Sequence, residues 1–286
     1  MDISIIIVSW NVKDKLRENI KSIYQSVGNF SFEIFVIDNN SSDDSANMVK
    51  HTFPDVNLIR NQENLGFAVA CNQGLKKAKG RYLLLLNPDM RLEKDTLDNF
   101  LRWLYRNKQA AVSGCKLVDS KGGIIKHVRR FPRFLDQLAI VLKMPHIFPA
   151  ILDKYIMKNF DYNKSSKVDT VRGSFFCIDK TSFEDYLLDE RYFIWFEEVD
   201  FCKYAKFKGK EVWYSSEASA VDLVGKSFSQ VGGYRTQKYF SDSMLKYFKK
   251  WQPVWQYKIL KIVWRPMLFL AWFFNFLFKI KTKHKT

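Results

Sequence analysis

The chain has 286 residues, 47% of them hydrophobic, with only 12 Gly and 7 Pro; it can bury a large core and is neither disordered nor fibrous in composition. Its net charge of +16 is unevenly placed: from Lys226 onward 13 Lys and Arg face one acid, Asp242, so the last fifth of the chain carries +12 and the remainder +4. A body that binds nucleic acid would spread that charge, and four scattered cysteines without a CxxC pair argue against a zinc knuckle or a disulfide scaffold and suit a reducing compartment.

Met1 leads directly into an apolar run, so no secretory leader is expected. Ile3 to Val8 reads as a buried strand that exits at Ser9-Trp10-Asn11, and Leu16, Ile20, Ile23 and Val27 follow at helical spacing with Gly28 as a stop. Phe32 to Ile37 is a second strand ending in the polar run that starts at Asp38. Ser45 is expected to cap a helix through His51, Pro54 breaks it, and Val56 to Arg60 is a third strand. The loop Asn64-Leu65-Gly66-Phe67 feeds a helix from Ala68 to Ala78. Leu83 to Leu86 then reads as a strand buried on both faces, cut off by Asn87-Pro88-Asp89 because Pro88 cannot extend a central strand. A helix carrying Leu97, Leu101 and Leu104 and a strand from Ala111 to Leu117 complete a βα alternation, which implies a doubly wound, mainly parallel α/β sheet.

From His127 to Lys167 no clear strand is visible. Basic and aromatic residues, three prolines and the interrupted apolar stretch Leu138 to Leu152 suggest an inserted lobe or membrane-facing flap. Order returns with a strand at Val171 to Ile178, a helix opening at Glu197-Glu198-Val199-Asp200 and running to Lys208, and short strands at Glu211 to Ser215 and Ala218 to Val224.

Phosphate motifs fail here. No GxGxxG follows the first strand, and Gly225-Lys226-Ser227 lacks the earlier P-loop glycine, position 220 being alanine. What remains is a set of acids at strand ends: Asp38, Asp89, the Glu197/Glu198/Asp200 group and Asp222. Ligands of α/β sheets sit at the carboxyl ends of parallel strands, so Asp89 is placed to hold Mg²⁺ or Mn²⁺ against a diphosphate. One of Glu197 and Glu198 is the natural general base for an attacking hydroxyl.

At these residues the sequence resembles glycosyltransferase family 2, inverting enzymes of the GT-A fold. The resemblance rests on Val8-Ser9-Trp10-Asn11, Ile37 to Asp43, Asn64 to Ala68 through Asn72 and Gly74, Leu86-Asn87-Pro88-Asp89 and Phe196 to Asp200, in family order. It implies a catalytic domain over residues 1–225: a nucleotide-binding half at 1–119, the insert at 127–167 and an acceptor and catalytic-base half at 168–225. Donor contacts would come from Val8, Ser9, Trp10, Asp38, Asn64, Gly66, Asn72, Asn87, Pro88 and Asp89. Val8 and Trp10 would flank a base whose ring N–H is accepted by Asp38. Asp89 would be the surviving acid of a DxD metal motif and Glu198 the catalytic base, standing where the family usually has aspartate, with Glu197 orienting or binding the acceptor. Acceptor contacts are expected from Arg130, Trp195, Glu197 and Asp200. A second departure puts Asp222 where family members carry a histidine, and a carboxylate there would serve as a second ligand for a hard cation; a surface acid is the plain alternative. The Asn-Pro-Asp variant and Arg130-Phe131-Pro132 are similar to the rhamnosyltransferase-like subset of bacterial polysaccharide assembly, implying a dTDP-rhamnose or UDP-sugar donor and a saccharide or lipid-linked acceptor.

Residues 226–286 form a basic aromatic tail. Its uninterrupted apolar run, Met267 to Phe278, is too short to span a bilayer and is interrupted upstream by Lys261, Arg265 and Pro266. A helix lying on an anionic membrane surface is expected, which would place the protein peripherally on the cytoplasmic face of the cell membrane; a helix completing the core is the alternative. A sugar-nucleotide pyrophosphorylase and a non-catalytic membrane-surface or nucleic-acid binder are the rival readings. The first lacks its glycine-rich loop after the opening strand, and the second leaves the ordered acids without a role.

Overall fold

The computed structural model describes residues 1–26, 28–223 and 233–283, and in the last helix it describes side chains as far as Phe269 and at Trp272. Val27 and Val224 through Ser227, to which expectations were attached above, lie outside the described residues. The strands are β1 (Ile3–Ser9), β2 (Phe32–Asp38), β3 (Asn57–Arg60), β4 (Tyr82–Leu86), β5 (Met90–Leu92), β6 (Ala110–Val118), β7 (Ser166–Lys167), β8 (Phe175–Asp179) and β9 (Glu211–Asp222). The helices are α1 (Lys13–Gln25), α2 (Ser45–Thr52), α3 (Phe67–Lys77), α4 (Thr96–Arg106), α5 (Phe134–Val141), α6 (Glu197–Phe207), α7 (Gly233–Trp251) and α8 (Val254–Lys283).

The sheet order is β3-β2-β1-β4-β8-β6-β9-β5, with β7 on β9. Pairing is parallel across β3-β2-β1-β4 and between β6 and β9, while β8 runs antiparallel to both β4 and β6. Helices cover both faces. Leu84 and Leu86 pack with Leu16, Ile20, Phe100 and Trp103 on one side, and Leu83 and Leu85 with Ala70, Leu75 and Phe201 on the other. The four leucines are at most 1% exposed, which is why that strand is a continuous apolar run rather than an alternating one.

Several boundaries differ from expectation, each for a local reason. The strand expected from Val171 begins at Phe175, because residues 173–174 form a turn. The two expected late strands are one, β9, carrying a register irregularity opposite Cys115 and Lys116; the polar Ser216-Glu217 pair reads as a break but is a bulge. Ser45 is the first residue of α2, bonded to Asp43, and not its cap. The insert contains α5 and 3-10 turns at Met144–His146 and Pro149–Leu152. Pro266 lies inside α8 without ending it; the turn it disturbs is on the exposed side.

Part of the tail packs on the body, as its stated alternative expects. A third cluster joins Met244, Tyr247 and Phe248 of α7 and Leu260 and Trp264 of α8 to Val141 of α5 and to Tyr192 and Phe196. The division expected at 225/226 therefore does not coincide with a packing boundary. Among the described residues no helix is long and apolar enough to cross a membrane.

Phe248 is fully buried in this cluster, so Phe248→Ala should cost about 3–5 kcal/mol of folding free energy in urea denaturation. A loss near that of a surface substitution would mean that α7 is only loosely attached.

Candidate active site

The carboxyl ends of β1, β2 and β4 open into one cavity of about 630 Å³. Val8 and Trp10 line it from the end of β1, Asn39 from β2, and Asn87, Pro88 and Asp89 from the reversal after β4. Because β8 is antiparallel to β4, it is the start of β8 that reaches the same edge, bringing Arg172, Gly173 and Ser174. Phe193 to Trp195, Glu197 and Glu198 also line it, Glu198 beside Gly173, and α7 adds Arg235 and Tyr239.

Asn39 braces the nucleotide-side loop. Its amide nitrogen donates to Asn64 Oδ1 (3.0 Å) and Gly66 O (3.1 Å), and its Oδ1 accepts from Asn61 Nδ2 (2.9 Å). Gly66 has φ +85°, and a Cβ there would sit 2.6 Å from Phe193 O, the atom that accepts from Phe67 N. Only glycine allows the two walls to meet this closely.

Glu197 and Glu198 open α6 after two successive left-handed residues, Trp195 (φ 63°) and Phe196 (φ 69°). Such residues cost about 1–3 kcal/mol each and persist where the surroundings over-determine them. Here the surroundings are α7: Phe196 packs on Phe240 and Tyr247 at 5.5 and 5.6 Å, and Ser243 Oγ donates to Ile194 O at 2.7 Å. The helix expected as a tail thus holds the strained turn that aims the two glutamates.

Burial, and then the charge of Glu198 beside it, pushes the Glu197 carboxyl well above the usual carboxylate range. Burial also raises Glu198, opposed by backbone N–H groups at the helix start and by the Arg172 guanidinium. One oxygen of each, Oε2, has no hydrogen-bond partner in the structure. The pair favours a state with a proton on the more deeply buried Glu197 and leaves Glu198 the better proton acceptor.

Asp89 is 5% exposed, and its carbonyl accepts from Leu223 N at 3.3 Å. Asp222 lies opposite Met90 in the β5–β9 pair, accepts from Ser174 Oγ at 3.1 Å and has Arg172 Nε at 3.6 Å. Among the described residues no cluster of three or more acidic, His or Cys side chains could by itself hold a metal. Asp89 lines the cavity and Asp222 does not; Mg²⁺ or Mn²⁺ commonly takes one or two carboxylates and completes its shell with phosphate oxygens and water, which Asp89 alone fits.

Other expected site residues are placed elsewhere. Ser9 is fully buried and does not line the cavity. Asp38 is buried and does not line it: Oδ2 accepts from Ser41 N at 3.1 Å and Oδ1 has no partner in the structure. Asn72 is spent on a segment that leads to Phe193, with bonds to Leu188 O (2.8 Å), Leu188 N (2.9 Å) and Glu190 (3.0 Å). Asp200 cannot serve as a free acceptor contact, since it accepts from Trp251 Nε1 (2.6 Å), Lys250 Nζ (2.7 Å) and Tyr192 Oη (3.1 Å), tying α6 to the end of α7. Arg130 lines a different cavity. Arg172, Ser174, Phe193, Arg235 and Tyr239 were not anticipated. The Arg-Gly-Ser turn before an apolar strand was the available signal for the first two, but its use depends on β8 being antiparallel.

A sheet of this order with a cavity over the ends of β1, β2 and β4 and a carboxylate after β4 defines the GT-A class of nucleotide-diphospho-sugar transferase folds. The chain belongs to glycosyl transferase family 2, whose model matches residues 4–187. Among curated relatives, the uncharacterized glycosyltransferase YfnE of Bacillus subtilis is 32% identical over 116 residues, 40% of this chain and 30% of its own length. The poly(ribitol-phosphate) beta-N-acetylglucosaminyltransferase TarP of Staphylococcus aureus is 27% identical over 189 residues, 65% of this chain and 55% of its own. The chain thus matches about a third to a little over half of these relatives' length. The solved structure of the mannosyltransferase PcManGT from Pyrobaculum calidifontis, in complex with GDP-Man and Mn²⁺, has the same fold: TM-score 0.59 at 17% identity, covering 94% of this chain and 73% of that one.

The raised carboxyls have a stability signature. The folded chain holds these protons more tightly than the unfolded chain, so their contribution is fully present below the ordinary value of 4.5 and is lost as pH rises through the raised folded value. Glu197→Gln should therefore be more stable than the parent at pH 8, with the gap closing towards pH 4 in thermal denaturation. Destabilisation at pH 8 would show that a partner holds the Glu197 carboxylate ionised.

Proposed function

We propose that the chain transfers a sugar from a nucleoside-diphosphate donor to a hydroxyl of a saccharide or lipid-linked saccharide acceptor, in a single inverting displacement within bacterial surface-glycan synthesis. The observation that carries this reading is the convergence of Asp89 and Glu198 on one cavity. Family membership supports the reaction class, and Bacillus subtilis relatives named for teichoic acid and teichuronic acid biosynthesis support the setting.

The donor base would lie over Val8 and Trp10, facing the Asn64 to Phe67 loop that lines the same cavity. A divalent cation at Asp89 would supply neutralisation of the diphosphate oxygens on departure, as the GDP-Man and Mn²⁺ complex of the structural neighbour suggests. Arg172 and Arg235 line the same cavity and add positive charge towards the leaving group. The acceptor oxygen would approach from the Trp195 side, and Glu198 Oε2 would take its proton as the new bond forms. Desolvation matches Glu198 to that task, because a carboxylate held out of water is a stronger base than an exposed one.

The reading includes a membrane surface. Exposed Trp255, Ile259, Ile262, Phe269 and Trp272 recur at helical spacing along α8, on the side away from buried Leu260 and Trp264. Exposed Lys258, Lys261 and Arg265 lie among them. The Phe134 ring of α5 meets Trp255 at 5.0 Å, and exposed Ile147 and Phe148 follow α5. Aromatic and aliphatic side chains bordered by cations fit an anionic lipid leaflet, where a lipid-linked acceptor would reside.

Glu198→Gln should lower sugar transfer by about 10²- to 10⁴-fold while leaving nucleoside-diphosphate binding intact, measured by product release and calorimetry. Near-normal transfer would remove Glu198 as the base. Combined Trp255→Ser, Ile262→Ser and Phe269→Ser should weaken co-sedimentation with phosphatidylglycerol vesicles by more than about tenfold; unchanged binding would contradict the membrane face.

A further inference from the structure

A second cavity, of about 460 Å³, lies away from the one described above and gathers five cations, Arg130, Arg133, Lys167, Lys206 and Lys210, with Asp169 as the acid among them. Its apolar backing is the Phe131 ring, which Lys203 and Lys206 approach to 4.7 and 5.3 Å of the centroid. Asp169 is engaged by Lys206 Nζ and Phe131 N, both at 3.2 Å, and Lys167 pairs with Glu211. The nearby Asp136 carboxylate accepts from the Arg133 backbone at 3.1 Å. Among the described residues no carboxylate forms an ion pair with Arg130, Arg133 or Lys210. The cavity thus holds three cations that the fold gathers and does not neutralise, an arrangement whose mutual repulsion an anion relieves.

Its position gives the charge a use. Two segments join the two cavities: α6 has Glu198 in its first turn and Lys206 in its last, and the 167–174 segment passes Lys167 and Asp169 before it reaches Arg172. The eight residues from Glu198 to Lys206 span about 12 Å of helix. The four from Asp169 to Gly173 reach at most about 13 Å. An extended acceptor whose terminal hydroxyl lies at Glu198 would have to bridge about that distance to lay a preceding unit in the cationic cavity.

We infer that this cavity is an acceptor subsite for an anionic glycan chain, binding its phosphodiester or carboxylate groups through Arg130, Arg133 and Lys210. The inference rests on the transferase reading for its purpose, but the binding itself is separable. Arg130 thereby keeps the acceptor role expected of it, at a distance from the reacting atoms.

The probe is a fluorescein-labelled inorganic polyphosphate of about twenty units, titrated by anisotropy against the full chain; the triple variant Arg130→Ala, Arg133→Ala, Lys210→Ala should bind it about tenfold more weakly, three exposed charge contacts together reaching that factor. A control variant, Lys50→Ala, Lys77→Ala, Lys108→Ala, removes the same charge elsewhere and should change the affinity less than about twofold. Equal losses in the two variants, or no loss in the first, would overturn the subsite. So would a single-stranded oligonucleotide of equal charge that binds more tightly than polyphosphate and shares the loss, since the cavity would then be a nucleic-acid site. Nucleoside-diphosphate binding in the triple variant should match the parent. Its absence from the parent as well would count against the transferase reading and leave the polyphosphate result standing.

Discussion

The burial of β4 on both faces is the constraint on which the rest of the structure depends. Its leucines contribute to two cores at once, and the strand is held between parallel β1 and antiparallel β8. A strand fixed in this way cannot slip by one residue without exchanging every side chain between the two cores. Its end, and with it Asp89, is therefore fixed relative to Val8 and Trp10 on one neighbour and Ser174 on the other. Asn87 N donates to Ser174 O at 3.0 Å, carrying the pairing across the break imposed by Pro88.

The glutamate pair is set by different physics. Glu197 and Glu198 stand at a helix start reached through two left-handed residues, and neither burial nor mutual repulsion favours two charges there. Packing of α7 against Phe196, together with the Asp200 bonds to Lys250 and Trp251, holds that arrangement in place. The basic C-terminal segment has two faces in consequence. One is a structural support for the turn that precedes α6, and the other is the exposed stripe proposed to meet lipid.

Much of this was legible in the sequence where a single local signal sufficed. The leucine run and Pro88 located β4 and its end, Asn64 through Phe67 marked a loop feeding a helix, and the acids after Phe196 marked a helix start. Other features were illegible because they depend on distant pairings. Nothing local says that β8 runs antiparallel, so Arg172 and Ser174 could not be assigned to the edge where Asp89 lies. Asp200 reads as one more acid of its cluster until Lys250 and Trp251, some fifty residues on, are seen to consume it. The amphipathic content of α7 was hidden by its basic charge, which drew attention to a partner surface rather than to the core formed by Met244, Tyr247 and Phe248.

The central claim is that the cavity binds a nucleoside diphosphate with a cation held at Asp89. Calorimetric titration of UDP, dTDP and GDP, each with and without Mn²⁺, into the parent chain and into Asp89→Asn tests it most directly. The account predicts that at least one of the three binds the parent, that Mn²⁺ strengthens the binding, and that Asp89→Asn removes that enhancement while the folded state is kept. Binding that ignores both Mn²⁺ and the substitution, or no binding of any of the three, would contradict it.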